Sequence, residues 1–332
     1  MRRLHLSRII PLTAAAALVL AAAACSSGSS PAAGGGAPEI GTVTVDSLDS
    51  QDAAALWIAE KDGYFRQQGL TVKVTYVPST NAAAPGLLAR TVDFSMENYV
   101  GALEEEAKTP QLGLRFIVDD LQAAANTTAI MVAKNSPVKS LSQLKGKTVA
   151  FPSAALTVGS LEFDEQLRGY GLGPGAYTDE GIGFADMIAP LERGEIAAAF
   201  SIQPFITIME SQIGARVLLD FNTGSTASFP STAWATTLSF QQKYPRTVAA
   251  FQRAMEKATQ VAASGQQLVR QLMAQNIKGL TPQLANVVAL QDFNTTLSVT
   301  RVQRVADTME EFGALPRTFN VKPMIVPLPP GA

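Results

Sequence analysis

The side chains in this sequence that could meet a small molecule are hydroxyls, amides and carboxyls, and they recur where a strand-like run gives way to a helix-like one. Ser50, Gln51 and Asp52 stand at the first such junction, and Glu97 and Asn98 follow Ser95 at the next. Ser153 and Thr157 bracket a third junction, and Gln203 and Phe205 follow a fourth. Phe229 comes just before Ser231, Thr232 and Trp234. Free N–H groups and the dipole at a helix start favour polar or negative ligand groups, so each junction can serve as a binding point. Each also has a plainer use. Asp52, Asn98, Ser153 or Thr157 can cap the following helix, Pro204 can open a helix that buries Phe205, and Trp57 and Trp234 suit a packed interior. Segment 152–157 is the best placed of these, because its hydroxyls and amides suit a polar or anionic head group.

Catalytic chemistry has less to work with. The chain holds one histidine, His5, and one cysteine, Cys25. If the N-terminus is cleaved at Cys25, no histidine remains. That removes Ser-His-Asp and Cys-His triads, histidine zinc sites and disulfides, and leaves carboxylate or lysine chemistry open. No cofactor or metal is expected. Ser142-Gln143-Leu144-Lys145 has the spacing of a penicillin-binding nucleophile, but Lys147-Thr148 runs on into Val149 instead of glycine. The glycine run 169–175 ends a helix instead of starting one, so it is no dinucleotide loop. Glu104-Glu105-Glu106 reads as a solvated helix face.

Arg2, Arg3 and Arg8 precede an apolar stretch, 9–24, that is shorter than the ~20 residues needed to span a bilayer. A basic start, a short apolar run and small residues make a secretory signal. The run ends Ala22-Ala23-Ala24-Cys25, which resembles a bacterial lipobox. The resemblance implies a signal peptide at 1–24 and a lipidated Cys25 that anchors the protein to the cell membrane, outside the cytoplasm. An ordinary signal peptide with an incidental cysteine, or twin-arginine export, is the alternative. Removing 1–24 takes away three arginines and no acid, so net charge moves from −2 to −5. No basic tract remains for nucleic acid. The Ser, Gly, Ala and Pro residues that follow cannot bury apolar area, which makes 25–38 a flexible tether.

The elements that must position these groups alternate. Strands are expected at 42–45, 71–77, 92–96 and 114–118, with helices at 53–68, 82–90 and 100–108 between them. The pattern restarts with strands at 129–133, 148–151, 197–201 and 215–219 and helices at 156–169 and 185–193. A strand at 234–238 returns the chain to its first half, and helices follow at 240–276, 282–290 and 300–312. This alternation predicts an α/β fold of two lobes with mostly parallel central sheets, joined by two crossing segments. Lobe I takes 39–127 and 226–332, and lobe II takes 128–225. A ligand is expected in the cleft at the strand ends, with the lobes closing by hinge motion.

Leu56-Trp57-Ile58-Ala59-Glu60-Lys61-Asp62-Gly63-Tyr64-Phe65 and the following Gly69-Leu70-Thr71-Val72 resemble the nitrate/sulfonate/taurine and thiamine-pyrimidine-precursor group of binding proteins. Ala89-Arg90-Thr91-Val92-Asp93-Phe94, Leu141-Ser142-Gln143-Leu144-Lys145-Gly146-Lys147 and Leu191-Glu192-Arg193-Gly194-Glu195 fall in that family's order. The resemblance covers about 40–240. It implies the type II periplasmic binding protein fold and a monomeric capture subunit that delivers a solute to an ABC permease and its ATPase. The solute class is sulfonate- or taurine-like, or a pyrimidine precursor. Ala197 and Gln203 stand where acids are usual. Fungal enzymes of similar fold depend on His and Cys, so their activity is not expected. A lipid-anchored enzyme or sensor on the same fold is the other reading.

Overall fold

The computed structural model describes residues 36–80, 84–153, 157–173, 175–221, 227–316 and 318–329. The stretch expected to be a signal peptide, Cys25 and nearly all of the expected tether lie outside these residues. The chain runs β1 (Thr42–Leu48), α1 (Ala54–Lys61), α2 (Tyr64–Gln67), β2 (Thr71–Val77), α3 (Ala84–Ala89), β3 (Phe94–Asn98), α4 (Tyr99–Lys108), β4 (Leu114–Asp119) and β5 (Leu121–Gln122). It continues with β6 (Thr128–Val132), β7 (Thr148–Phe151), α5 (Val158–Arg168), β8 (Thr178–Gly181), α6 (Ile188–Arg193), β9 (Ala198–Ile202), α7 (Phe205–Ile213) and β10 (Arg216–Asp220). It then returns through β11 (Thr232–Thr237), α8 (Leu238–Lys243), α9 (Pro245–Ser264), α10 (Gln266–Asn276), α11 (Pro282–Ala285), β12 (Asp292–Phe293) and α12 (Val299–Glu311).

Two five-stranded sheets result, ordered β2-β1-β3-β11-β4 and β10-β6-β9-β7-β8. In the first, β1 pairs in parallel with β2 and β3, and β11 runs antiparallel to both β3 and β4. In the second, β7 pairs in parallel with β8 and β9, and β6 runs antiparallel to both β9 and β10. Each sheet is thus mostly parallel with one reversed strand. The reversed strand is the one laid down just after the chain crosses, β6 on entry and β11 on return. Every residue of β6 and of β11 is buried, as expected for a strand covered on both faces. The two crossings lie side by side: Ser231 N donates to Leu121 O at 2.9 Å, Ala123 N donates to Phe229 O at 3.0 Å, and Asn126 N donates to Asp220 Oδ2 at 2.9 Å.

Local chemistry explains where the elements differ from the periodicity. The helix expected over 53–68 breaks at Gly63, whose backbone is left-handed at φ 71° and suits glycine. The run 240–276 divides at Pro245, which opens α9, and again at Gly265. Helix α11 stops at Ala285 instead of reaching 290. Strand β8, with the polar sequence Thr-Asp-Glu-Gly, is an edge strand with no apolar signal. The outer edge of β4 is covered by the C-terminal tail, where Val326 N donates to Phe116 O at 2.9 Å. That cover withdraws an open strand edge from other chains.

Phe251 of α9 ties the helical layer to the first sheet. Its ring stacks on Phe94 of β3 at 4.0 Å and on Phe65 of α2 at 5.5 Å. It also meets Trp234 of β11 edge-on at 6.0 Å. Phe251→Ala is therefore expected to lower unfolding free energy by about 3–5 kcal/mol. A shifted urea midpoint at unchanged slope would measure the loss, and a loss below ~1 kcal/mol would contradict this role for the ring.

Candidate functional site

A cavity of about 60 Å³ lies between the two sheets. That is room for roughly a few water molecules, enough for a compact head group. The first half contributes Leu48, Asp52, Ser79, Thr80 and Asn98, the second contributes Thr128, Pro152, Thr157, Gly159, Phe184, Phe200 and Ile202, and Ser231, Thr232 and Gln291 complete it. The described lining holds one carboxyl and no Lys, Arg or His.

Asp52 follows the end of β1 inside a 3-10 turn capped by Ser50. Ser50 Oγ accepts from Asp52 N at 3.3 Å and donates to Asp52 Oδ2 at 2.5 Å. Thr232 Oγ1 reaches Asp52 Oδ1 at 3.1 Å and Asp120 Oδ2 at 3.2 Å. One hydroxyl proton cannot serve two carboxylates, so one of these contacts needs a proton on a carboxyl. Burial pushes both acids up, Asp120 well above its ordinary range, and the neighbouring Asp52 raises Asp120 further. The Trp234 indole faces Asp120 but lies outside hydrogen-bond geometry. Behind them, Asp119 sits near pKa 6 through burial, tempered by Tyr99 and Arg301. Tyr99 Oη donates to Asp119 at 2.7 Å and Arg301 Nε donates to it at 3.3 Å.

Gln51 does not line the cavity. Its amide forms a reciprocal clamp on the Gln291 backbone, donating to Gln291 O and accepting from Gln291 N, each at 3.1 Å. Gln291 and Thr128 line the cavity, but Gln291 Oε1 and Thr128 Oγ1 are themselves fully buried and have no hydrogen-bond partner.

Asn98 and Thr157 both cap helices and line the cavity. Asn98 Oδ1 accepts from Gly101 N at 2.7 Å, and Asn98 Nδ2 donates to Thr80 Oγ1 at 2.7 Å. Thr157 Oγ1 accepts from Ser160 N at 3.1 Å in a capping box at the start of α5. The capping and contact readings of these two residues are therefore compatible.

The other expected site residues lie apart. Ser50 and Phe205 line a neighbouring groove of about 140 Å³, where Phe205 stacks on Phe184 at 5.5 Å. Gln203 lines a separate hollow, bonded to Asn126 O at 3.1 Å and Thr207 Oγ1 at 2.9 Å. Phe229 is buried under the Arg304 guanidinium at 5.4 Å. Ser153 is half-buried beside Pro152; residues 154–156 of that best-placed segment lie outside the described residues. Glu97 is buried behind the cavity lining and accepts from Ser95 Oγ at 2.8 Å. Phe184, Phe200, Thr128 and Gln291 line the cavity without having carried a sequence signal. Phe200 and Thr128 sit within or at the start of buried strands, and Gln291 is far along the chain from the junctions.

Among the described residues no group of three or more His, Cys, Asp or Glu could hold a metal ion. No described helix is long and apolar enough to cross a membrane.

Two mostly parallel sheets, each with one reversed crossing strand, and a cavity between them define the periplasmic-binding-protein class of fold. The alkanesulfonate-binding protein SsuA from Xanthomonas axonopodis pv. citri, bound to MOPS, is similar at TM-score 0.71 and 16% identity, over 87% of this chain and 99% of that one. The nitrate-binding protein NrtA from Synechocystis PCC 6803 is similar at TM-score 0.67 and 14% identity, over 86% and 85%. The desulfurization enzyme DSZB shares the fold at TM-score 0.60 and 16% identity, over 83% and 93%. At these identities the likeness concerns the fold. No curated protein sequence matches the chain. The family model described as NMT1/THI5 like matches residues 50–267, and the chain belongs to that family.

Two measurements check the site's surroundings. Burial is the main cause raising the Glu97 pKa from 4.5 to about 8, tempered by Ser95 and reinforced by Asp46 and Glu105. Below pH ~4.5 both folded and unfolded chains hold this proton. Between ~4.5 and ~8 only the folded chain keeps it, so stability falls as pH rises, by up to about 1.4 kcal/mol per pH unit. Glu97→Gln should flatten that slope in urea titrations from pH 5 to 8, and an unchanged slope would refute it. At Gly159 an added Cβ would lie 2.4 Å from the Phe200 ring. That ring is itself hemmed in by Phe221 at 5.6 Å and Phe151 at 5.9 Å. Gly159→Ala should therefore cost about 1–3 kcal/mol in thermal or urea unfolding.

Proposed function

We propose that this chain is the extracytoplasmic solute-binding subunit of an ABC importer, which captures a small organic solute between its halves and delivers it to a permease and ATPase. The supporting observation is the cavity itself: Asp52 and Asn98 come from one half, Thr157 and Phe200 from the other, and Thr232 from the return crossing. A solute held there touches both halves at once, so it stabilises the closed arrangement over the open one. In this reading 39–127 with 226–332 and 128–225 move as lobes about the paired crossings. On the same reading the signal peptide at 1–24 is removed, and lipidated Cys25 with the tether at 25–38 holds a monomer at the outer face of the membrane.

The solute is sulfonate- or taurine-like, or a pyrimidine precursor. Its binding groups are hydroxyls, amides and a carboxyl, with Phe184 and Phe200 giving an apolar wall. An enzyme on this fold is a real alternative, since DSZB shares it. The binding reading is favoured because the described lining offers no His or Cys to act as base or nucleophile.

A thermal-shift series on the full chain with sulfonates, nitrate, pyrimidines and amines tests this. One class should raise the melting temperature in a saturable, concentration-dependent way and be recovered unchanged. Chemical conversion of the stabilising compound would replace this reading with the enzymatic one.

A further inference from the structure

We propose that the solute extends beyond the cavity: its polar end lies in the cavity, its hydrocarbon chain passes between Leu48 and Phe184 into the neighbouring groove, and Phe184 limits the width of chain accepted. This rests on the binding reading above and adds the solute's shape. The cavity of about 60 Å³ takes a head group but not a whole organic solute. The groove beside it adds about 140 Å³. Leu48 and Phe184 line both spaces, one from each half of the chain, and so form the neck between them. Three rings follow one another through that neck. Phe200 lines the cavity and Phe184 lies 6.3 Å from it. Phe205, in the groove, stacks on Phe184 at 5.5 Å with the ring planes 12° apart. This gives a continuous aromatic wall from cavity to groove, along which a hydrocarbon chain leaves water. The groove's charged side chains, Asp49, Asp186 and Lys278, are half-buried or exposed, whereas Leu48, Phe184 and Phe205 are buried. The loop that carries Phe184 is also where the halves touch: a Cβ on Gly183 would lie 3.5 Å from Pro78 Cβ. Phe184 is therefore held near the opposite half, and the neck has a fixed width when the halves are together.

The test is calorimetry on the full chain with two head groups, each carrying a short, a butyl or a naphthyl tail: methane-, butane- and 2-naphthalenesulfonate, and 4-aminopyrimidine bearing hydrogen, butyl or 2-naphthyl at ring position 5. Whichever head group binds, the butyl compound should bind about tenfold or more tighter than the short one, at about fourfold per buried methylene. The naphthyl compound is too wide for the neck and should bind about tenfold or more weaker than the butyl one. Phe184→Ala widens the neck, so it should raise naphthyl affinity about tenfold without raising butyl affinity. Leu48→Ala, on the other side of the neck, should do the same and decides the matter if Phe184→Ala does not fold. The wild-type order of affinities stands by itself if neither variant folds. Equal affinity for the short and butyl compounds, or unchanged naphthyl affinity in a folded variant, would overturn this inference and leave the binding reading standing. Absence of binding by every compound would overturn both.

Discussion

Strand β11 enters the first sheet from a chain that has already built the second, and it takes a central place between β3 and β4 with every residue buried. A strand buried on both faces must have its backbone groups paired within the sheet, so its register is fixed by both neighbours. Thr232 pairs with Asn98 across the β3 side, which sets the start of β11 at the cavity wall. The Thr232 hydroxyl is thereby held between Asp52 and Asp120. The crossings that frame the cavity, the acids that line or back it and the first sheet all depend on this one insertion.

The same economy governs the rest of the cavity. Asn98 and Thr157 satisfy helix N–H groups and face the cavity together. Their polar atoms thus serve the helices and the cavity wall at once. Phe200 is pressed against Gly159 so closely that the residue at 159 must be glycine for the ring to stay in place. Helix start, ring and cavity are thus one packed unit, and interiors at this density do not deform gradually.

Much of the architecture was legible along the chain. Alternation of apolar runs, glycine stops and helix-start polar residues marked strands and helices in the right order, because those signals are local. Boundaries were less legible where a single residue decides them, as at Gly63 and Pro245. Polar edge strand β8 carries no burial signal, since its side chains are exposed. Of the residues singled out for ligand contact, Asp52, Asn98 and Thr157 meet at one cavity. Each follows a strand and stands at the start of a helix or turn, and strand ends of both sheets converge there. Gln203 and Phe205 occupy a comparable junction, yet the direction of α7 carries them to other surfaces.

By itself the sequence determined the element types and their order, the near absence of histidine and cysteine, and the hydroxyl- and amide-rich junctions, because these follow from residue chemistry and short-range periodicity. Only the tertiary structure decided which junctions share a cavity. Gln291 meets the Gln51–Asp52 turn from 240 positions along the chain, and Thr128 and Phe200 face the cavity through strand pairing across the second sheet. Such long-range pairings leave no local trace, since each depends on how separate elements pack, and they are what gather a set of ordinary polar residues around one cavity.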